Sequence, residues 1–153
     1  MTMKPRTNID FMRWRWHAVV LSWVVILAGL AVIAAKGLPR EAVDWVILTH
    51  IHLDHAGAAG WFAQNGATIY CHPSAARHLI DPSRLIESAR MVYGAQMDPL
   101  WGTMLPAPAD RVIAMQDGQS VKFGDVEVLA WDTPGHARHH HAFVIGDVCF
   151  TGD

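Results

Sequence analysis

Residues 44–58 read DWVILTHIHLDHAGA, an apolar run that ends in three histidines and an aspartate and passes into small residues and glycine. The stretch from Asp44 to Thr49 is short, β-branched and uncharged after its first residue, the composition of a central buried strand. His50, His52, Asp54 and His55 follow it directly. In extended backbone, alternation puts His50, His52 and Asp54 on one side; in a loop just past the strand end the four diverge to serve two neighbouring positions. Imidazole nitrogens and a carboxylate oxygen suit zinc or another divalent transition metal, and α/β folds place their sites at such strand ends.

Downstream, residues 58–65 read as a helix entered through glycines and closed by Asn65–Gly66, and ATIYCH (67–72) as a second strand. Pro73 and Ser74 suit the start of a helix, and 82–93 form another, with Pro82 in its first turn and Gly94 as its stop. The helical stripe of Leu79, Leu85, Ile86, Met91, Met97, Leu100 and Trp101 fits core packing and pocket shaping equally. Beyond the proline-broken loop 105–109 come short strands: RVIAM, SVKFG after the turn at Asp117–Gly118, VEVLAWD, and HAFVIGDVCF with a hairpin at Gly146–Asp147. Helices and strands mix, with hairpins in the second half, so the fold class is α/β, an α+β layered domain.

Upstream, residues 1–15 are basic and polar, and Trp16 to Ala35 are 20 residues without Asp, Glu, Lys or Arg. That length crosses a hydrocarbon core as a helix. Flanking Trp14 and Trp16 with the preceding basic residues predict a membrane anchor with a cytoplasmic N-terminus, the alternative being a buried helix of a cytoplasmic domain. The chain therefore divides into a basic tail (1–15), an apolar helix (16–35) and a domain (37–153).

The charged fraction is 17% and the net charge −2, with no run of like charge past the N-terminus, which gives no electrostatic footprint for nucleic acid. Cys71 and Cys149 lie far apart and outside any CxxC pattern, which excludes a disulfide scaffold or a thiolate zinc knuckle and reads as buried thiols. Nine of the ten histidines gather around 50/52/55, 72/78 and 136/139/140/141. Scattered core or surface histidines do not explain the first and last groups.

The segment THIHLDHAGA resembles the HxHxDH motif of the metallo-β-lactamase superfamily of metal-dependent hydrolases. TPGHARHHHAF (133–143) is similar to the segment that carries that family's third histidine, and CFTGD (149–153) resembles its strand-end bridging aspartate. The resemblance implies an αββα sandwich, of which 37–153 hold mainly the N-terminal half. It implies that His50, His52 and His136 hold a first zinc ion and that Asp54, His55 and Asp153 contribute to a second, with Asp153 bridging. Metal-activated hydroxide would then attack an ester, thioester, lactone or amide of a small-molecule substrate, and Asp54 would orient it or shuttle its proton. The wording of the motifs is nearer glyoxalase-II-like and lactonase-like branches than antibiotic-degrading ones.

His140 is expected beside the metal ligands as a hydrogen-bonding partner. His139 and His141 are expected to alternate faces on the entering strand, and His72 to be a bystander. Thr49, Gly57 and Gly135 read as backbone devices around the metal loops, and Pro134 as a stiffener of the turn that presents His136. The family's further downstream histidine and second αβ half have no counterpart before Asp153, so the expectation is a fragment, or else a membrane-anchored, non-catalytic remnant that holds one zinc. Uncovered sheet surface also predicts self-association or a partner.

Overall fold

The computed structural model describes residues 43–153. The expected basic tail and apolar helix at 16–35 lie outside the described residues. Among the described residues no helix is long and apolar enough to cross a membrane.

Two sheets and a layer of helices make up the domain. A parallel sheet of order β1–β2–β3 is built from β1 (Trp45–Ile47), β2 (Thr68–Cys71) and β3 (Val112–Ala114). Between these strands run α1 (Leu53–Ala56), α2 (Ala59–Gln64), α3 (Pro73–Ile80), α4 (Ser83–Tyr93) and α5 (Met97–Trp101). Parallel pairing demands such crossovers, because a tight turn reverses the chain. The second half is an antiparallel meander, β4 (Ser120–Phe123), β5 (Val126–Asp132), β6 (His141–Ile145) and β7 (Val148–Phe150), paired in sequence order.

Each interface has its own apolar core. Leu48, Ile51, Ile69, Cys71, Ala75, Leu79 and Met97 fill the space between parallel sheet and helices. Met115, Val128, Ala130 and Phe143 fill the space between the two sheets, with Ile47, Tyr70 and Phe123 packed against them. The layers therefore run helices, parallel sheet, antiparallel sheet, in keeping with part of an αββα sandwich.

Helix α2 lies unusually close to its neighbour, since a Cβ at Gly60 would come within 1.8 Å of the Leu105 carbonyl oxygen. Only glycine permits that approach.

The sequence expectations for strands and helices hold with small shifts, and two differ in substance. The strand before the histidines is not central among the described residues: β1 pairs only with β2, and Trp45 is 41% exposed. Its apolar side chains serve the contact between sheets instead, where Trp45 stacks on Phe123 with ring centroids 4.0 Å apart. The helical stripe of 79–101 also divides. Leu79 and Met97 are buried and Leu85, Ile86 and Trp101 pack against the same core, whereas Met91 and Leu100 are exposed.

Candidate metal centre

Beyond β1 the chain bends at Thr49, is extended at His52 (ψ 153°) and then turns into α1. That change of conformation settles how the four polar side chains divide. His50 and His52 precede the helical turn, while Asp54 and His55 belong to it. The second half of the chain brings His136 from the β5–β6 connection and Asp153 from beyond β7 to the same place.

Two groups of potential ligand atoms result, each with its atoms within 4.8 Å of one another: His50, His52 and His136, and His50, His55 and Asp153. His52 Nδ1 and His136 Nε2 are 2.8 Å apart. Asp153 directs one carboxylate oxygen at each side, Oδ1 lying 3.5 Å from His55 Nε2 and Oδ2 lying 4.0 Å from His136 Nε2. Asp54 belongs to neither group; it is exposed at the rim, with Oδ2 3.6 Å from His55 Nε2.

His50 is common to both groups and only 1% exposed. Its Nδ1 lies 3.2 Å from Thr49 Oγ1, and its Nε2 is buried without any hydrogen-bond partner. A buried imidazole nitrogen left unpaired costs about 1–3 kcal/mol unless something occupies its lone pair. Burial, together with the imidazoles of His55, His52 and His136, lowers the His50 pKa to about 3. Burial and then His136 lower that of His52. Both rings are thus held in the neutral form that ligates metals. The orphaned nitrogen, the neutral imidazoles and the carboxylate form a donor set that fits a divalent cation.

His140 is 3% exposed, its ring centroid 5.2 Å from that of His50. Its Nδ1 is 2.7 Å from Thr133 Oγ1, and its pKa is lowered by burial and by His136. His139 turns elsewhere and receives a long contact from the Ile51 N–H at 3.5 Å. Thr49 is a backbone device as expected, its carbonyl accepting the His141 N–H at 2.7 Å. Gly135 is not: its φ is not positive and a Cβ there would meet nothing. The glycine that the site requires is Gly152, at φ 63°, where a Cβ would lie 2.8 Å from both His140 Nε2 and Thr49 Oγ1.

The sequence profile of the metallo-β-lactamase superfamily matches residues 11–153. The chain belongs to that superfamily. Metallo-β-lactamase fold-containing protein ST1585 of Sulfurisphaera tokodaii is 30% identical over 134 residues, which are 85% of this chain and 51% of that protein. A β-lactamase hydrolase-like protein of Xylella fastidiosa is 28% identical over 127 residues, 82% of this chain and 26% of that one. Among solved structures, ST1585 superposes with a TM-score of 0.63, covering 72% of this chain and 44% of its own. The metallo-β-lactamase family protein TTHA1429 of Thermus thermophilus, 25% identical, also gives 0.63, over 79% of this chain and 44% of its own. The chain thus spans about half the length of ST1585 and about a quarter of the Xylella protein.

One cluster escaped the sequence reading. His72, Asp132 and His141 converge on a third group of potential ligand atoms. Asp132 lies in no motif, His72 is expected to be a bystander, and His141 is expected only to alternate faces with His139 on the entering strand. The available signal was weak, namely a strand ending in an aspartate that faces a strand beginning with a histidine.

Proposed function

We propose that this superfamily member carries the zinc-binding half of a hydrolase site acting on an ester, thioester, lactone or amide. His50, His52 and His136 would hold the first zinc, with His55, Asp153 and Asp54 around the second. The single observation that carries the reading is His50, a fully buried imidazole whose free Nε2 stands between two groups of donors. Zinc bound there would activate water and polarise the scissile carbonyl.

The side chains of the chain itself have distinct tasks. Thr49 and burial fix the ring of His50, and the two-sided carboxylate of Asp153 suits a place between the two groups. Asp54, exposed beside His55, is accessible to solvent and to a substrate and is the candidate for accepting and passing on a proton. The name of the Xylella relative speaks of a hydrolase, and the superfamily's chemistry agrees, but the motif residues leave the substrate class open.

Zinc per chain, measured by elemental analysis on the folded 153-residue protein and on His52→Ala, tests the ligand set. The substitution should lower zinc content; unchanged content would overturn the assignment. Turnover of a generic thioester or lactone, abolished by the same substitution, supports the hydrolase. Zinc without turnover supports the non-catalytic remnant. We also propose that residues 16–35 anchor the chain in a membrane. Deletion of 1–35 should then release folded protein from the membrane fraction, whereas an insoluble, unfolded product would assign the segment to the core.

A further inference from the structure

Consecutive residues on an extended segment face opposite ways, and His140 and His141 do so. His140 turns toward His50, while the ring of His141 lies 4.8 Å from that of His72, away from the family's ligands. There it meets Asp132, its register partner across the β5–β6 pair. His72 arrives from the other sheet, at the junction of β2 and α3. Three elements from two layers thus place two imidazoles and a carboxylate together, with ligand atoms within 4.8 Å of one another.

His141 has no exposed surface, and neither of its ring nitrogens has a hydrogen-bond partner. Its Nε2 lies 3.4 Å from Asp132 Oδ1, without the alignment of a hydrogen bond, and the same oxygen is 2.8 Å from His72 Nε2. Asp132 Oδ1 thus faces both imidazoles, and the three ligand atoms lie within 4.8 Å of one another. The arrangement is unlike an ordinary buried histidine, which satisfies at least one ring nitrogen.

We propose that His72, Asp132 and His141 form a separate site for a divalent transition-metal ion, zinc by preference, apart from the family's metal centre. Two imidazoles and one carboxylate are the donor chemistry of a three-ligand zinc site that leaves a position for water. Burial, with His72 beside it, lowers the His141 pKa and so keeps that ring in its ligating form. Coordination by His72 Nε2 moves that ring's proton to Nδ1. In the structure Nδ1 accepts the Ser74 N–H at 3.1 Å as the cap of α3, and with the proton on Nδ1 that bond gives way to one donated to Ser74 Oγ, 2.8 Å away. The Asp132 backbone N–H is in turn held by Asp117 Oδ1 at 2.8 Å. An ion in this position would join the end of β2 to the β5–β6 pair.

Equilibrium dialysis of the full chain against Zn²⁺ or Co²⁺, followed by elemental analysis, tests the site. Asp132→Asn, at a half-exposed position and equal in size, should bind one metal ion fewer than the wild type. The His52→Ala/His136→Ala double variant should keep one ion, and its Co²⁺ form should show a visible absorption band that adding Asp132→Asn removes. Asp132→Asn with wild-type metal content would overturn the proposal and leave a His72–Asp132 hydrogen bond that merely locks the sheets. A natively folded double variant without metal would overturn it too. If the double variant fails to fold, the comparison of Asp132→Asn with the wild type decides alone. Because the family's ligands and this cluster are altered separately, failure of one assignment is distinguishable from failure of the other.

Discussion

Cys71 and Cys149 are both free thiols in strands, yet their surroundings set them apart. Cys71 lies in the central strand of the parallel sheet with no exposed surface, and burial pushes its thiol up to about 12. Cys149 is exposed in β7, against the sequence expectation of two buried thiols, because β7 has a partner strand on one edge only among the described residues. Thiolate is the reacting form, so iodoacetamide at about pH 8 should modify Cys149 alone in the native protein and both thiols in denaturant. Modification of both at equal rates in native protein would contradict the burial of β2. Legibility at this scale follows the same division between sequence and surroundings. His50, His52, His55, His136 and Asp153 could be picked out because two short motifs and a strand-end aspartate carry them, and the structure does bring them together. The grouping of His72 with Asp132 and His141 could not, because it depends on the register of β5 against β6 and on how closely two sheets approach, and neither is written in a local pattern.

Secondary-structure elements were read with more success where periodicity and punctuation agree. β5 coincides with VEVLAWD, the β6–β7 hairpin turns at Gly146–Asp147, and α4 stops at Gly94 with φ 52°. The one-turn helix α1 was missed, as four residues are too few to show a period, and it is this turn that sends Asp54 and His55 away from His52. Gly152 shows how an element end governs the centre. Its positive φ and the 2.8 Å approach of a Cβ to Thr49 Oγ1 and His140 Nε2 leave no room for a side chain, and the residue after it is Asp153. In Gly152→Ala the backbone at 152–153 must shift, moving Asp153 relative to His55 and disturbing the Thr49 that orients His50. Removing a partner of metal ligands usually costs about 10–100-fold in affinity. Zinc titration of this variant should show a loss of about that size with an unchanged far-UV circular dichroism spectrum. Wild-type affinity would mean that the close packing beneath the site has no bearing on the ligands.

At the scale of the whole domain, the ligand groups are drawn from both sheets. His50, His52 and His55 follow a strand of the parallel sheet, whereas His136 and Asp153 belong to connections of the antiparallel one. The direct fastenings between these halves include His141 N–H to Thr49 O at 2.7 Å, together with the small core around Val128, Ala130 and Phe143. A zinc ion held from both sides would therefore act as a cross-link as well as a reagent, absent from the unfolded chain. Binding to the folded state alone stabilises by RT ln(1 + [Zn]/Kd), about 2.7 kcal/mol when free zinc exceeds Kd a hundredfold. For a domain of this size that corresponds to a rise in Tm on the order of 10 °C. Calorimetry with and without a chelator should show that rise in the wild type. In His136→Ala, which takes from the His50–His52–His136 group its one donor on the antiparallel side, most of it should vanish. The metal-free proteins should differ little, because His136 is partly exposed at the mouth of the site. Equal zinc-induced shifts in the wild type and in His136→Ala would show that the ion is held by one sheet alone, and the cross-linking role would have to be abandoned.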